Sequence, residues 1–371
     1  MKYKFEHIAT NSTAKKLPEE SDRKHYIGLE HLDTNCFTIS RWGSDVTPVG
    51  EKLLMKKGDV LFGKRRAYQR KVGIAPFDGI FSAHGMVLRP KEDVIDKDFF
   101  PFFINSDQFM ERAIRISVGG LSPTINWKDL KEQVFELPSL EEQKVLASKL
   151  WAAYNLKESY KILLAKTDEL VKSRFIELFS GDSIPRVPLA DLCTLFIDGD
   201  WIEAKDQSDS GYRLVQTGNI GNCEYLDKED HSRYVSDETF KRLNCTEIHS
   251  GDILFSRLPD PIGRCCIIPM GFPKAITAVD CTITRLKDNC LPEYLMVYTT
   301  TTMYSEQIKK CITGTTRQRI SRGNLAKISV PLPDKQRQAA FVSLVHQADK
   351  SKFELKQAIE KIDKVMRALL Q

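Results

Sequence analysis

The chain has 371 residues, long enough for two or more domains. Its 42% hydrophobic and 28% charged content is that of a globular protein, not a disordered or fibrous one. No segment approaches the roughly 20 apolar residues of a membrane span, the start "MKYKFEHIATNST" carries no signal-peptide run, and the formal charge of +5 permits nucleic acid as a partner without demanding it; a cytoplasmic protein without membrane contact is expected.

In chain order, the first 138 residues are rich in short alternating runs punctuated by Gly and Pro. "DVLFGK" and "GIFSAHGMVLRP" read as strands between turns, and "KDFFPFFINSDQFMERAIR" reads as helical. A long helix follows over 139–181. It has no Pro or Gly inside, Ser139 and Glu142 form a capping box at its start, and Gly181 ends it. About 40 residues make roughly 60 Å of helix. The pattern then begins again over 182–333. "DILFSR", "RCCIIP" and "AVDCTITRL" read as strands, and "LPEYLMVYTTTTMYSEQIKK" as helices at matching places. A second long helix fills 334–371. The nine cysteines form no CxxC pair, and Cys223, Cys245 and His249, with His231 between, match no zinc-finger spacing. Free thiols and no metal are expected.

The second half repeats the first. "KGDVLFGKRR" at Lys57 returns as "SGDILFSR" at Ser250. An offset of 195 places Gly119 on Gly314, Ile125 on Ile320, Leu137-Pro138 on Leu332-Pro333, and Gln143 on Gln338. A unit this long is a duplicated domain, not a solenoid repeat. The Gly-Asp pairs read as turns, with Asp59 and Asp252 accepting from backbone donors.

The second helix carries an apolar seam at Phe341, Val345, Ala348, Lys352, Leu355, Ile359, Ile362, Met366 and Leu369. The first carries its counterpart at Leu146, Leu150, Ala153, Lys157, Tyr160, Leu164, Thr167, Val171 and Arg174. A lysine interrupts both at the same step. Either it sets register or it snorkels past its neighbours. Because each seam alone would expose a long apolar stripe, the helices are expected to pair with each other. An antiparallel pair is preferred. The fold expected is α+β: two similar α/β domains joined by two long helices in an antiparallel coiled coil, with an internal pseudo-two-fold.

Two such domains, each followed by a helix entered through "LPSLEEQKVLASKL" or "PLPDKQRQAAFVSLV", resemble the specificity subunit of type I restriction-modification systems. "YIGLEHLDT", "RLVQTGNIGNCEYLD" and "SGDILFSRLPDPIGRCCIIP" are similar to family wording, and the resemblance covers essentially the whole chain. It implies two target recognition domains, each reading one half of a split, asymmetric site on double-stranded DNA. It implies helices that set the gap and dock two methyltransferase subunits, which would bind the AdoMet and methylate adenine. A restriction and translocation subunit can join. The chain itself is expected to hold no cofactor and no catalytic residue.

Arg can bridge guanine edges and Gln can pair with adenine, while phosphate contacts position the reader. The densest basic stretch, Lys64, Arg65, Arg66, Tyr68, Gln69, Arg70 and Lys71, is therefore a candidate DNA contact. Its second-half counterpart holds Arg257 and Arg264. A further candidate is Thr315, Thr316, Arg317, Gln318 and Arg319, matched in the first half by Ser122 and Thr124, without an Arg. Gln216, Thr217 and Asn219 complete the set. Each also reads as ordinary solvated surface. Trp42 and Trp201 are assigned to the core. No P-loop or AdoMet motif occurs, and Pro333-Asp334 with Glu354-Leu355-Lys356 is a poor nuclease pattern because the last three lie on the long helix. Two other readings remain: the specificity subunit of a related bifunctional restriction-methylation enzyme (type IIB/IIG-like), or a coiled-coil adaptor that binds no DNA.

Overall fold

The computed structural model describes residues 1–314 and 318–371. Contacts divide the chain into two units, Met1–Lys161 with Lys356–Gln371, and Ile162–Leu355. The division falls partway along each long helix.

In unit 1, β1 (Lys2–Lys4) leads through the short helix α1 (Phe5–Ile8) into β2 (Ala9–Ser12) and β3 (Lys15–Lys16). Strands β4 (Tyr26–Ile27), β5 (Lys52–Met55), β6 (Val60–Phe62), β7 (Val72–Ile74), β8 (Gly79–Phe81) and β9 (Met86–Pro90) follow. Helices α2 (Phe100–Asn105), α3 (Asp107–Arg115) and α4 (Trp127–Leu130) and strand β10 (Val134–Glu136) complete the globular part. One sheet has the order β2-β9-β6-β7 and another β3-β5-β8-β4. Only β4 and β8 pair in parallel among these. The core is built on rings: Phe5, Phe62, Phe100, Phe102, Phe103, Phe109 and Phe135 are all buried.

The first long helix, α5 (Leu140–Phe179), starts in unit 1 and ends in unit 2. Ser139 and Glu142 close the expected capping box, with Glu142 N donating to Ser139 Oγ at 3.3 Å and Ser139 N to Glu142 Oε2 at 2.8 Å. Buried Gln143 pins the entry. Its amide donates to the Pro138 and Val94 carbonyls and accepts from Asp96 N at 2.8 Å.

Unit 2 repeats the plan. Its elements are β11 (Arg186–Pro188), β12 (Cys193–Asp198), β13 (Tyr212–Val215), β14 (Tyr234–Val235), α6 (Asp237–Leu243), β15 (Ile253–Ser256), β16 (Cys265–Ile267), β17 (Ala275–Thr277) and β18 (Cys281–Leu286). Then come α7 (Pro292–Thr299), α8 (Thr302–Cys311), β19 (Ile312–Thr313), β20 (Arg319–Ile320), α9 (Arg322–Ala326), β21 (Ser329–Pro331) and the second long helix α10 (Lys335–Leu369). The sheet β12-β18-β15-β16 matches β2-β9-β6-β7 strand for strand, and β13 pairs in parallel with β17 as β4 does with β8. Gln338 repeats the bonds of Gln143, to the Pro333 and Asn289 carbonyls and from Leu291 N. The helical stretch breaks once in each unit, at Ser106 between α2 and α3 and at Thr301 between α7 and α8. Each hydroxyl caps the following helix, accepting from Phe109 N and Tyr304 N.

The Gly-Asp turns are as expected, with Gly58 at φ 89° and Gly251 at φ 90°, the left-handed region that glycine enters freely. Asp59 accepts from Lys56 N and Asp252 from His249 N. A partner invisible in the motif completes each: Arg89 grips Asp59 and Arg285 grips Asp252, both bidentate at 2.7–2.8 Å.

The helices pack antiparallel within each unit. In unit 1, Lys157 Nζ lies 2.6 Å from Asp363 Oδ1, while Leu146 and Trp151 share a core with Met366, Leu369 and Leu370. In unit 2, Lys352 Nζ lies 2.9 Å from Asp168 Oδ1, and Phe175 packs on Phe341 at 5.4 Å. Of the expected seam, Arg174 departs: it is exposed and pairs with Glu177, and Phe175 is buried in its place. Val171, Phe175 and Phe179 follow a four-residue step here, because the helix faces a globular core rather than a single partner helix.

Candidate nucleic-acid interface

In unit 1, β6 ends at Phe62 and the chain doubles back into β7, closed by Gly63 N donating to the Lys71 carbonyl at 2.9 Å. Between them Ala67 is buried as a plug, flanked by Arg66 at φ 55° and Arg70 at φ 48°. Left-handed backbone costs a non-glycine residue about 1 kcal/mol or more. The plug and the flanking bonds hold it. The result is a tight loop that presents Arg65, Arg66 and Tyr68 to solvent.

A second loop, Val118–Thr124, docks against the first. Ile125 N donates to the Lys64 carbonyl at 3.0 Å and Arg66 N to the Pro123 carbonyl at 2.8 Å, and Arg65 bridges Thr124 through the backbone. The Arg66 guanidinium reaches Ser122 Oγ at 3.1 and 3.3 Å. Two stretches proposed separately from sequence thus form one surface. At its tip Leu121 is 97% exposed, an apolar side chain that its Gly-rich setting alone does not single out.

The rest of the basic stretch turns inward. Arg70 donates to the Asn105 carbonyl at 3.2 Å and pairs with Asp107. Lys71 donates to the Leu29 carbonyl at 2.7 Å. Gln69 is half-buried, and its carbonyl accepts from Thr34 Oγ1.

Unit 2 uses the same junction differently. Ile320 N donates to the Arg257 carbonyl at 3.1 Å, the counterpart of Ile125 and Lys64. Arg257 itself is only 8% exposed; it lies 3.3 Å from Asp198 and donates to the Val279 carbonyl at 2.6 Å. Arg264 spends its guanidinium on four carbonyls, those of Ile220 (2.6 Å), Thr217 (2.8 Å), Leu258 (2.9 Å) and Pro261 (3.1 Å). Burial lowers its pKa from the ordinary arginine value. Both arginines hold the loop, and neither offers a free fork. Asn219 is likewise committed, accepting from Gln216 N and donating to the Leu226 carbonyl. Gln216 and Thr217 are half-exposed beside the Arg264 staple, and Gln318 and Arg319 are exposed at the start of β20. Thr315, Thr316 and Arg317 lie outside the described residues.

The assignment of two tryptophans to the core is corrected. Trp42 is 49% exposed with its edge against Phe77, and Trp201 is 70% exposed, its indole N–H 3.4 Å from Glu203. Each follows a polar loop residue on a chain segment held by backbone bonds; Gly199 N and Asp200 N donate to the Cys281 and Thr277 carbonyls. No group of three metal-ligating side chains occurs among the described residues. Cys245, part of the weighed metal set, is a buried thiol pushed up to about 11, first by burial and then by Asp200.

The profile of the type I restriction modification DNA specificity domain matches twice, over residues 5–164 and 185–364. The chain belongs to this family. The specificity family's curated members include the EcoKI specificity subunit of Escherichia coli strain K12, 22% identical over 358 residues that span 88% of this chain and 74% of that one. The Escherichia coli EcoDI specificity subunit is 28% identical over 185 residues, 48% of this chain and 41% of that one. Among solved structures, one from work on complex assembly and conformational transition of the type I restriction-modification system aligns over 100% of this chain and 96% of its own, with a TM-score of 0.63 at 16% identity. The type I S subunit from M. genitalium aligns over 100% and 94%, with a TM-score of 0.54 at 14% identity. The two profile matches coincide with the two copies of the sheet and loop junction. No helix among the described residues is long and apolar enough to cross a membrane.

Proposed function

We propose that this type I specificity subunit is a non-catalytic DNA reader, in which each unit reads one half of a bipartite, asymmetric site. The observation that carries the reading is the repeated junction. The backbone bond from Ile125 to Lys64 recurs from Ile320 to Arg257, yet the side chains presented around it differ. Unit 1 offers Arg65, Arg66, Tyr68, Ser122 and Thr124; unit 2 offers Gln216, Thr217, Gln318 and Arg319. One frame with two sets of donors and acceptors suits two different half-sites. The long helices set the gap and dock two methyltransferase subunits, which supply AdoMet chemistry, and a restriction and translocation subunit completes the complex. Mapping methylated bases in DNA from cells that express the chain with its methyltransferase subunit tests this. The expected result is one split motif with unlike halves. A continuous or palindromic motif, or no methylation that depends on this chain, would overturn it.

A further inference from the structure

The duplicated frame allows one slot to be compared in both units. In unit 1, Ser12 lies opposite Val87, which lies opposite Leu61. In unit 2, Ile197 lies opposite Ile283, which lies opposite Leu254. The next residues along, Thr13 and Asp198, therefore occupy the same place. Lys64 and Arg257 also correspond, each being the second residue after the Phe that ends GD(V/I)LF, and each accepting at its carbonyl from the matched isoleucine.

The charge balance of the slot differs. In unit 2 the cation is neutralised from within, by Asp198 at 3.3 Å and more distantly by Asp280 at 3.9 Å. In unit 1 the corresponding residue is Thr13, and the Lys64 ammonium has no hydrogen-bond or ion-pair partner among the described residues. Burial first, and the charge of Lys15 second, hold the Lys64 ammonium below the ordinary lysine range. Lys15 has its own partner, Glu51 at 3.3 Å, but that pair is well exposed and weak. Beside Lys64 opens a cavity of about 190 Å³ lined by Asn11, Thr13, Lys15, Lys64, Asn126 and Trp127. At about 30 Å³ per water it holds some six waters, room for a phosphate group with part of its hydration. Asn11 Oδ1, buried and without a hydrogen-bond partner, is an acceptor for such water. The cavity adjoins Ile125, at the junction of the two candidate loops.

We propose that this cavity is an anion seat that takes one phosphate of the DNA backbone through Lys64 and Lys15, and that unit 2 lacks it because Asp198 already fills the role. The inference rests on the chain's reading as a DNA binder, and it assigns Lys64 to positioning instead of base recognition.

The test uses the full chain with its methyltransferase subunits. Affinity is measured against salt on the mapped site and on a scrambled duplex, for wild type, Lys64→Gln and Thr13→Asp. Thr13→Asp installs in unit 1 the carboxylate that unit 2 carries. Thermal melts confirm that each variant folds, and Lys64→Gln serves if Thr13→Asp does not. Loss of one phosphate contact lowers the slope of log K against log salt by about 0.9, or about 8-fold in affinity at roughly 0.1 M salt. That loss is expected equally on both duplexes. A slope unchanged from wild type, or a loss confined to the mapped site, would overturn the proposal. So would stabilisation by inorganic phosphate that Lys64→Gln abolishes while DNA slopes stay the same, which would assign a free anion. Failure of the wild-type complex to bind DNA would sink the functional reading and this inference together; DNA binding with unchanged slopes would sink the inference alone.

Discussion

Arg65 and Arg264 show how far one residue type diverges by surroundings. Arg65 is exposed, and its side chain makes no hydrogen bond among the described residues. Arg264 is fixed by four carbonyls. Removing Arg65 leaves no buried group stranded, so Arg65→Ala with Arg66→Ala is expected to leave the melting temperature nearly unchanged. It should weaken binding through one half-site by about 1–3 kcal/mol, read as lost discrimination when that half is mutated in the duplex. Equal discrimination by the variant and wild type would remove these arginines from the reader. Arg264→Ala strands partly buried carbonyls and is expected to cost roughly 2–4 kcal/mol of stability, checked by chemical denaturation. Arg264→Lys should recover only part of this, because an ammonium cannot span four acceptors set around a planar fork. Position in a basic run agrees with exposure at Arg65 and Arg66, whereas Arg70, Lys71, Arg257 and Arg264 bond back onto carbonyls of the fold. Nothing within a few residues of Arg264 announces Ile220 and Thr217, which come from 44 and 47 residues earlier.

At the scale of elements, the seam lysines decide between the two readings offered for them. Lys157 and Lys352 each cross to an aspartate of the other long helix, at 2.6 and 2.9 Å, and so act as register marks. The two pairs are not equal. The Lys157 side chain is 8% exposed and has Asp363 alone; Lys352 is more open and also has Asp349 at 2.8 Å. Burial opposes the charge of Lys352, yet bonds to Asp349 and Asp168 outweigh it and raise its pKa above the ordinary value. Asp363→Ala should therefore cost about 3 kcal/mol, since it strands a buried cation. Lys157→Met should cost less, because Asp363 can turn to water, and adding it to Asp363→Ala should restore most of the loss. Asp168→Ala should cost less than Asp363→Ala. A denaturation series in which both aspartate variants lose the same stability would contradict this ranking. The heptad pattern revealed the lysines because it depends on local periodicity. It could not reveal Asp168 or Asp363, which sit off the seam and matter only once the antiparallel register is set. It also missed the step at Phe175, where the helix passes onto a globular core.

For the whole molecule, two copies of one frame have diverged in the side chains they present. If the long helices set the gap between half-sites, inserting about one helical turn of four residues into α5 or α10 should alter the preferred spacer, read by methylation mapping, and leave both half-sites unchanged. An unaltered spacer would argue against the helices as a ruler. The same mapping would separate a type I reader from a coiled-coil adaptor, which would direct no methylation at all.

The sequence by itself determined the duplication, the two helix starts, the Gly-Asp turns and most of the seam. Each of these is written in short-range terms: a repeat offset, a capping residue, a left-handed glycine, a 4-3 apolar step. Only the tertiary structure decided which polar side chains face outward. Lys64 and Arg257 stand at the same point of the same frame, and the residue that separates them is Thr13 in one unit and Asp198 in the other, on a different strand. Whether a cation is available to a partner depends on the carboxylates and carbonyls that folding brings to it, and those come from distant parts of the chain.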